Sequence, residues 1–315
     1  MPRESHSSNQ AEAGAATSKP KLVFRYKTAT AFQNAIKAKI ANAAASSPHS
    51  IAELRRQFAY DRLLARVFIS DPESWVLKGA AGLLARIPTR ARHSMDVDLY
   101  FQGSVEAIVE GLVEAAEVDL GDYFTFDIEL AHKIAGHNSG IQVKITAYIG
   151  DVMFVGFRVD TVIATNMTGT PESVPALCPI NVDGLRTSVY RTYPVVDHIA
   201  DKHAAMIATY GDGVPSTRYR DLVDLVLIAA TQSINAKALH NALMSEYQHR
   251  NLCPPAEVTL PSPDWVDGYA AAARQAPNFA YPTAQAGLKI VKAMLDPILA
   301  GRTSGEWNPR TLEWV

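Results

Sequence analysis

Residues 75–101 read WVLKGAAGLLARIPTRARHSMDVDLYF, and this stretch decides the fold. WVLKGA is a short apolar run that stops at Gly79. AGLLAR then begins a short helix, Pro88 closes it, and IPTRARHS is a loop. MDVDLYF alternates acidic and apolar residues, the pattern of a strand with one wet face. On such a strand Asp96 and Asp98 point to the same side, with Cα atoms about 6.5–7 Å apart, while Val97 and Leu99 face a core. Two carboxylates converging on one open face repel each other unless a cation lies between them. Oxygen donors of this kind suit Mg²⁺, which keeps several waters and takes one or two carboxylates together with substrate phosphates. Two such ions about 3.5–4 Å apart form the clamp for in-line phosphoryl or nucleotidyl displacement. Taken alone, an Asp-x-Asp strand is more often a solvated strand face. The upstream residues sharpen the reading. Gly79 lets the backbone approach a phosphate closely, the helix start that follows offers free N–H groups to an anion, and Lys78 or a loop arginine adds charge.

Outward from this segment, helical spacing predicts helices over 27–45 and 50–69; the second ends at Asp71-Pro72 and carries Arg55, Arg56, Arg62 and Arg66 between its apolar residues. Residues 104–117 form an amphipathic helix. YFTFDIELA, GIQVKITAYIG and VMFVGFRVDTVIA are strand-like. Residues 164–184 are a loop punctuated by Gly and Pro. After Pro194 helices are expected over 195–209, 217–232, 235–248, 264–275 and 284–300. The expected fold class is therefore α+β. A disordered tail (1–20) and an N-terminal helical segment (21–72) precede a mixed-sheet core (73–192), and a C-terminal helical domain (193–315) follows.

The chain has 315 residues, 48% hydrophobic and 20% charged, the composition of a globular protein. Apolar runs stay below the roughly eighteen residues that cross a bilayer, and the N-terminus shows no signal-peptide h-region. Two cysteines, Cys178 and Cys253, exclude a disulfide scaffold and fit a reducing, cytoplasmic location. Both read as small buried hydrophobes. Residues 1–100 hold 15 basic and 8 acidic residues, against 15 and 24 in the remainder. That asymmetry suits a phosphate-rich partner, but on charge alone a solvated surface is the commoner explanation.

Two further motifs lie downstream. DHIADK places Asp197 five residues before Lys202, and RYRDLVD supplies Arg218, Arg220, Asp221 and Asp224. On a helix Asp221 and Asp224 share a face, and Arg218 can brace Asp221. Lys202 is a point charge on a flexible stem, suited to a triphosphate or its leaving pyrophosphate. Singly, each reads as an ordinary helical ion pair; together and in this order they resemble a known pattern. LKGA…RARHSMDVDLYF resembles the hG[GS]…DhDh signature of the DNA polymerase beta-type nucleotidyltransferase superfamily, with Ala80 departing from the usual Gly or Ser. DxxxxK and RxRDxxD are similar to motifs of its AbiEii/AbiGii toxin branch, which includes the mycobacterial MenT toxins. Ser94 stands where that branch has Ser or Thr. The resemblance spans about 75–230.

The resemblance implies an Mg²⁺-dependent nucleotidyltransferase toxin with NTP as substrate and a cognate antitoxin as partner. Asp96 and Asp98 would bind the metal, and a third carboxylate is expected on a later strand, with Asp160 the candidate and Asp127 its competitor. Lys78, Gly79, Ala80, Ser94 and Arg218 would bind nucleotide, and Lys202 would offset triphosphate charge. Asp221 would orient Lys202 or act as general base, and Ser94 would contact phosphate or itself be modified. By analogy with MenT-type members the acceptor would be RNA, in first place the tRNA 3′ end, with Arg86, Arg90, Arg92 and the basic helix 50–69 as phosphate contacts. Nucleotide transfer to protein hydroxyls, or a non-catalytic nucleotide- or antitoxin-binding module, are the alternatives. His93 reads as an exposed loop histidine. No zinc spacing, P-loop, nucleophile elbow or dinucleotide fingerprint appears.

Overall fold

The computed structural model describes residues 24–134, 139–163, 165–211 and 213–315; the expected tail, 1–20, lies outside them. The elements run α1 (Ala29–Ala44), α2 (Ile51–Ser70), β1 (Trp75–Leu77), α3 (Gly79–Arg86), β2 (Asp96–Phe101), α4 (Val105–Glu117), β3 (Phe124–Ile134), β4 (Gly140–Ile149), β5 (Val152–Val162), β6 (Glu172–Val174) and β7 (Tyr190–Thr192). They continue with α5 (Val195–Ile207), β8 (Thr209–Tyr210), β9 (Val214–Pro215), α6 (Tyr219–Ala229), β10 (Ile234–Asn235), α7 (Ala236–His249), α8 (Trp265–Ala273), α9 (Ala284–Leu299), β11 (Glu306–Asn308) and β12 (Glu313–Trp314). Among the described residues no helix is long and apolar enough to cross a membrane.

A seven-stranded mixed sheet, in the order β3-β4-β5-β2-β1-β7-β6, forms the core. β2 lies in its middle, parallel to β5 and antiparallel to β1. Its alternation is the one read from sequence: Val97, Leu99 and Phe101 are buried, while Asp96, Asp98 and Tyr100 face the open side. Helices α2 and α4 cover the apolar face, and the sheet merges into one hydrophobic core with α5–α9. Local chemistry sets the helix starts. Ser50 and Glu53 form a reciprocal capping box on α2, Ser104 caps α4, and Thr283 caps α9.

The short strands were not anticipated. β6 falls inside the expected 164–184 loop, and β10, β11 and β12 form a separate small sheet. Segments of two or three residues hold no readable period, so only their partners define them. Cys253 is another correction. It is exposed, in the Pro-rich connection after α7, while Cys178 is half-buried.

The basic helix also behaves differently from a phosphate-binding face. Arg62 and Arg66 are 1% exposed and converge on Asp122, with Arg62 Nε donating to Oδ2 at 2.7 Å and Arg66 Nη2 to Oδ1 at 2.7 Å. They are buried because α2 packs face-on against α4 and the sheet, where a charge survives only when paired. One residue before Arg62, Asp61 accepts from Leu177 N, Cys178 N and the Tyr190 hydroxyl, tying α2 to β7.

Truncating Asp122 to Ala strands two buried guanidinium groups and is expected to cost about 3–5 kcal/mol, read from urea unfolding at neutral pH. Burial opposes the Asp122 charge, but Arg66 and Arg62 outweigh it and hold its pKa below the ordinary value. Its stabilisation is therefore complete above the unfolded carboxyl pKa of about 3.9 and is lost as pH falls through the lower folded value. The stability gap between wild type and Asp122→Asn should close in that acid range and nowhere else.

Candidate active site

Gly79 opens α3 with φ +59°. A Cβ built there would lie 1.7 Å from Asp98 Oδ2 and 2.4 Å from its Cγ. The Asp98 carboxylate thus rests on the glycine backbone, and the positive φ and the missing side chain are both required. Lys78 N donates to Asp98 O at 2.8 Å, so the β1–α3 turn and the Asp-x-Asp strand are locked in register. The first turn of α3 has no side-chain cap, which leaves its amides available to an anion. Ala80 sits in that turn, buried.

Across the parallel β2–β5 ladder Asp98 pairs with Asp160 and Asp96 with Arg158. Cross-strand partners share a face, so Asp96, Asp98 and Asp160 look out from one side of adjacent strands. Burial and the like charges of Asp96 and Asp160 push the Asp98 carboxyl up to about 6, against the pull of Lys78 and Lys202. Burial also raises Asp160, opposed by a 2.7 Å hydrogen bond from Gln142. Ser94 is buried and donates to Asp96 Oδ1 at 3.0 Å. Asp127 is placed elsewhere, on the edge strand opposite Thr146, four residues along β4 from Gln142, where it lines a groove with Val113, Glu117 and Phe126.

Facing the carboxylates is a buried ionic network. Lys202 Nζ donates to Asp221 Oδ1 at 2.9 Å and to Asp224 Oδ2 at 2.7 Å. Arg218 Nε donates to Asp221 Oδ2 at 2.5 Å, and Arg92 reaches both oxygens of Asp224 at 3.2 and 3.1 Å. Burial disfavours the Lys202 charge, but Asp221 and Asp224 more than offset it and raise its pKa. Asp224, likewise buried, is held down to about 2 by Lys202 and Arg92. Both Asp221 oxygens are engaged by cations, Oδ1 by Lys202 and Oδ2 by Arg218. The network holds three cations and two anions, so it presents net positive charge beside the three carboxylates.

Several expected residues have other duties. Arg86 is committed to Glu172, to the Thr192 hydroxyl and to Tyr193 O. Arg92 braces Asp224. Neither side chain is left free for RNA, because each closes a gap between the sheet and a neighbouring element; Arg90 remains half-exposed. Asp197 accepts from the Thr168 amide and hydroxyl and from the Gly169 amide, pinning the segment whose Thr165 accepts from Lys78 Nζ at 2.5 Å. His93 is half-buried, not exposed, and burial lowers its pKa to about 4.

Sequence reading missed Thr165, Tyr193 and Asp201. Tyr193 lies under Lys78 Nζ, 4.4 Å from the ring centroid. Burial works against the Asp201 charge, but Lys78 and Arg250 hold its pKa below the ordinary range. Asp201 lies inside DHIADK but at one of its variable positions, and each of the three meets a partner far away in sequence.

Among the described residues no group of three or more His, Cys, Asp or Glu side chains is arranged to hold a metal ion. Asp96, Asp98 and Asp160 offer hard carboxylate oxygens whose mutual repulsion a divalent cation would relieve, donors of the kind that suit Mg²⁺ together with water and phosphate.

A sheet that offers such carboxylates, a glycine turn before an uncapped helix and a buried lysine is the equipment of a nucleotidyltransferase. Residues 62–297 match the family model described as "Nucleotidyl transferase AbiEii toxin, Type IV TA system". The chain belongs to this AbiEii family of nucleotidyltransferase toxins, and the family implies a nucleotide substrate and an antitoxin partner. The comparison with curated proteins yields no match. Among solved structures, the crystal structure of a presumptive nucleotidyltransferase from H. pylori is similar at 14% identity and a TM-score of 0.41, covering 78% of this chain and 95% of that one.

Replacing Gly79 with Ala is expected to displace Asp98 and abolish nucleotide transfer, a loss of about 10²-fold or more, while the far-ultraviolet circular dichroism spectrum is retained. Activity within threefold of wild type would show that the close approach of Gly79 to Asp98 is dispensable.

Proposed function

We propose that this protein is an Mg²⁺-dependent enzyme that transfers NMP from an NTP to RNA, in first place to the tRNA 3′ acceptor end, and so arrests translation and growth as a cytoplasmic toxin restrained by its antitoxin. The observation that supports this reading best is the three-carboxylate face of β2 and β5 lying between the uncapped α3 turn and buried Lys202.

Asp96 and Asp98, with Asp160 beside them, would hold the metal. Bound there, Mg²⁺ would supply positive charge that offsets the charge building on the phosphates. The α3 amides and Lys78 receive the phosphates. An acceptor hydroxyl oxygen attacks the α-phosphorus, the bond from that phosphorus to the α–β bridging oxygen breaks, and pyrophosphate leaves toward Lys202. Lys202 remains charged through this step because Asp221 and Asp224 raise its pKa. The hydroxyl proton is released to solvent water. Ser94 serves by orienting Asp96, and nucleotide or phosphate could reach its hydroxyl only after that hydrogen bond opens.

Incubating the purified protein with Mg²⁺, α-labelled NTPs and tRNA should move label into RNA. Asp96→Ala and Lys202→Ala should each lower the rate by about 10²–10³-fold. Label running with protein would favour transfer to side-chain hydroxyls instead. Mg²⁺-dependent NTP binding without pyrophosphate release would indicate a non-catalytic module.

A further inference from the structure

The site has two buried lysines, and they are held in opposite ways. Lys202 gives two of its three N–H donors to Asp221 and Asp224, so carboxylates offset its charge. Lys78 is only 8% exposed, yet among the described residues it has no ion pair. Its Nζ donates to Thr165 Oγ1 at 2.5 Å and stands 4.4 Å from the centroid of the Tyr193 ring. Asp98 and Asp201 both feel its charge, but neither comes within ion-pair distance. Asp201 is taken instead by Arg250, whose Nε also donates to Glu246 at 2.6 Å. A buried ammonium is costly unless an anion meets it. In this site no side chain of the protein supplies that anion.

The fold builds the seat of Lys78 from distant segments. β1 and β7 run parallel with Leu77 opposite Thr192, and Tyr193 N donates to Leu77 O at 2.9 Å. Lys78 and Tyr193, the next residue of each strand, therefore leave the sheet side by side at the start of α3. Tyr193 is buried, and its hydroxyl donates to Asn166 O. Asn166 Oδ1 in turn accepts from Ser245 of α7 at 2.9 Å, and Asp197 of α5 holds the amide and hydroxyl of Thr168. The segment carrying Thr165 is thus tied to Tyr193, to α5 and to α7. An aromatic face and a hydroxyl oxygen attract an ammonium without cancelling its charge. A carboxylate would cancel it and would have to be displaced when phosphate arrived. Lys78 also immediately precedes the first turn of α3, which no side chain caps, so its charge and the α3 amides face the same anion.

We propose that Tyr193 and Thr165 are positioning residues for nucleotide binding: they hold the Lys78 ammonium, its charge uncancelled, at the first turn of α3, where it meets the phosphates of an NTP. This rests on the NTP reading of the site above and is independent of the acceptor.

The test is calorimetric titration of the full chain, in Mg²⁺, with the α,β-methylene analogues of ATP, GTP, CTP and UTP, carrying forward the analogue that wild type binds most tightly. Lys78→Ala should raise its Kd about tenfold or more, and Thr165→Val and Tyr193→Leu about three- to tenfold. Thr165→Ser keeps the hydroxyl and Tyr193→Phe keeps the ring, so both should stay within about twofold of wild type. In the Lys78→Ala background, Thr165→Val and Tyr193→Leu should add less than about twofold, because a residue that acts through Lys78 has nothing left to position. A general loosening of the fold would instead add in full. Should Tyr193→Leu fail to fold, Thr165→Val decides the matter, since Thr165 is half-buried and lies outside any helix or strand. A Kd within about twofold of wild type in Lys78→Ala, Thr165→Val or a folded Tyr193→Leu, or full additivity with Lys78→Ala, overturns the positioning role. Wild type that binds none of the four analogues overturns the NTP reading of the site itself, an outcome visible before any variant is made.

Discussion

The site is organised around the contact between the Asp98 carboxylate and the backbone of Gly79, where no Cβ can be accommodated. One short approach has several consequences. It forces a left-handed residue at the start of α3, so the helix begins with amides that no side chain caps. It holds β1 and β2 in a register that sets Lys78 beside the acidic strand. It also confines Asp98 to a pocket where its charge is costly, which is the condition for strong attraction to a cation.

The second organising element joins the helices after residue 193 to the sheet. Lys202 from α5, Asp221 and Asp224 from α6 and Arg92 from the loop before β2 form one buried network. Such networks contribute little net stability, because desolvation offsets most of the attraction, but losing one member leaves another charge buried alone. Their effect here is geometric. Lys202 is fixed opposite the carboxylates while it keeps its proton, so no ordering of the lysine is needed when substrate arrives. The same accounting sorts the arginines: Arg62, Arg66, Arg86 and Arg92 are paired with carboxylates, whereas among the described residues Arg56 and Arg158 have no ion pair.

Much of this was legible in the residues alone, because it depends on local periodicity. The i, i+2 spacing of Asp96 and Asp98 put both on one strand face, and the strand shows that alternation. The i, i+3 spacing of Asp221 and Asp224 put both on one helical face, where Lys202 meets them. What was not legible involved long sequence separation. Asp122 lies 60 residues from Arg62, and the Thr165 hydroxyl 87 from Lys78. The arginines of α2 illustrate the limit: four cations at helical spacing look alike in sequence, yet two are buried by α4 and the sheet while Arg56 rests on the rim of the site.

By itself, then, the sequence determined the long helices and strands, which side of β2 is wet, and which acidic residues share a strand or helix face, since these follow from period and from residue chemistry. Only the tertiary structure decided which carboxylate stands across the ladder from Asp98, that both Asp221 oxygens are engaged by cations, and which arginines are paired with buried carboxylates. Those outcomes depend on strand order and on which charges are buried together, and neither quantity exists until distant parts of the chain have packed.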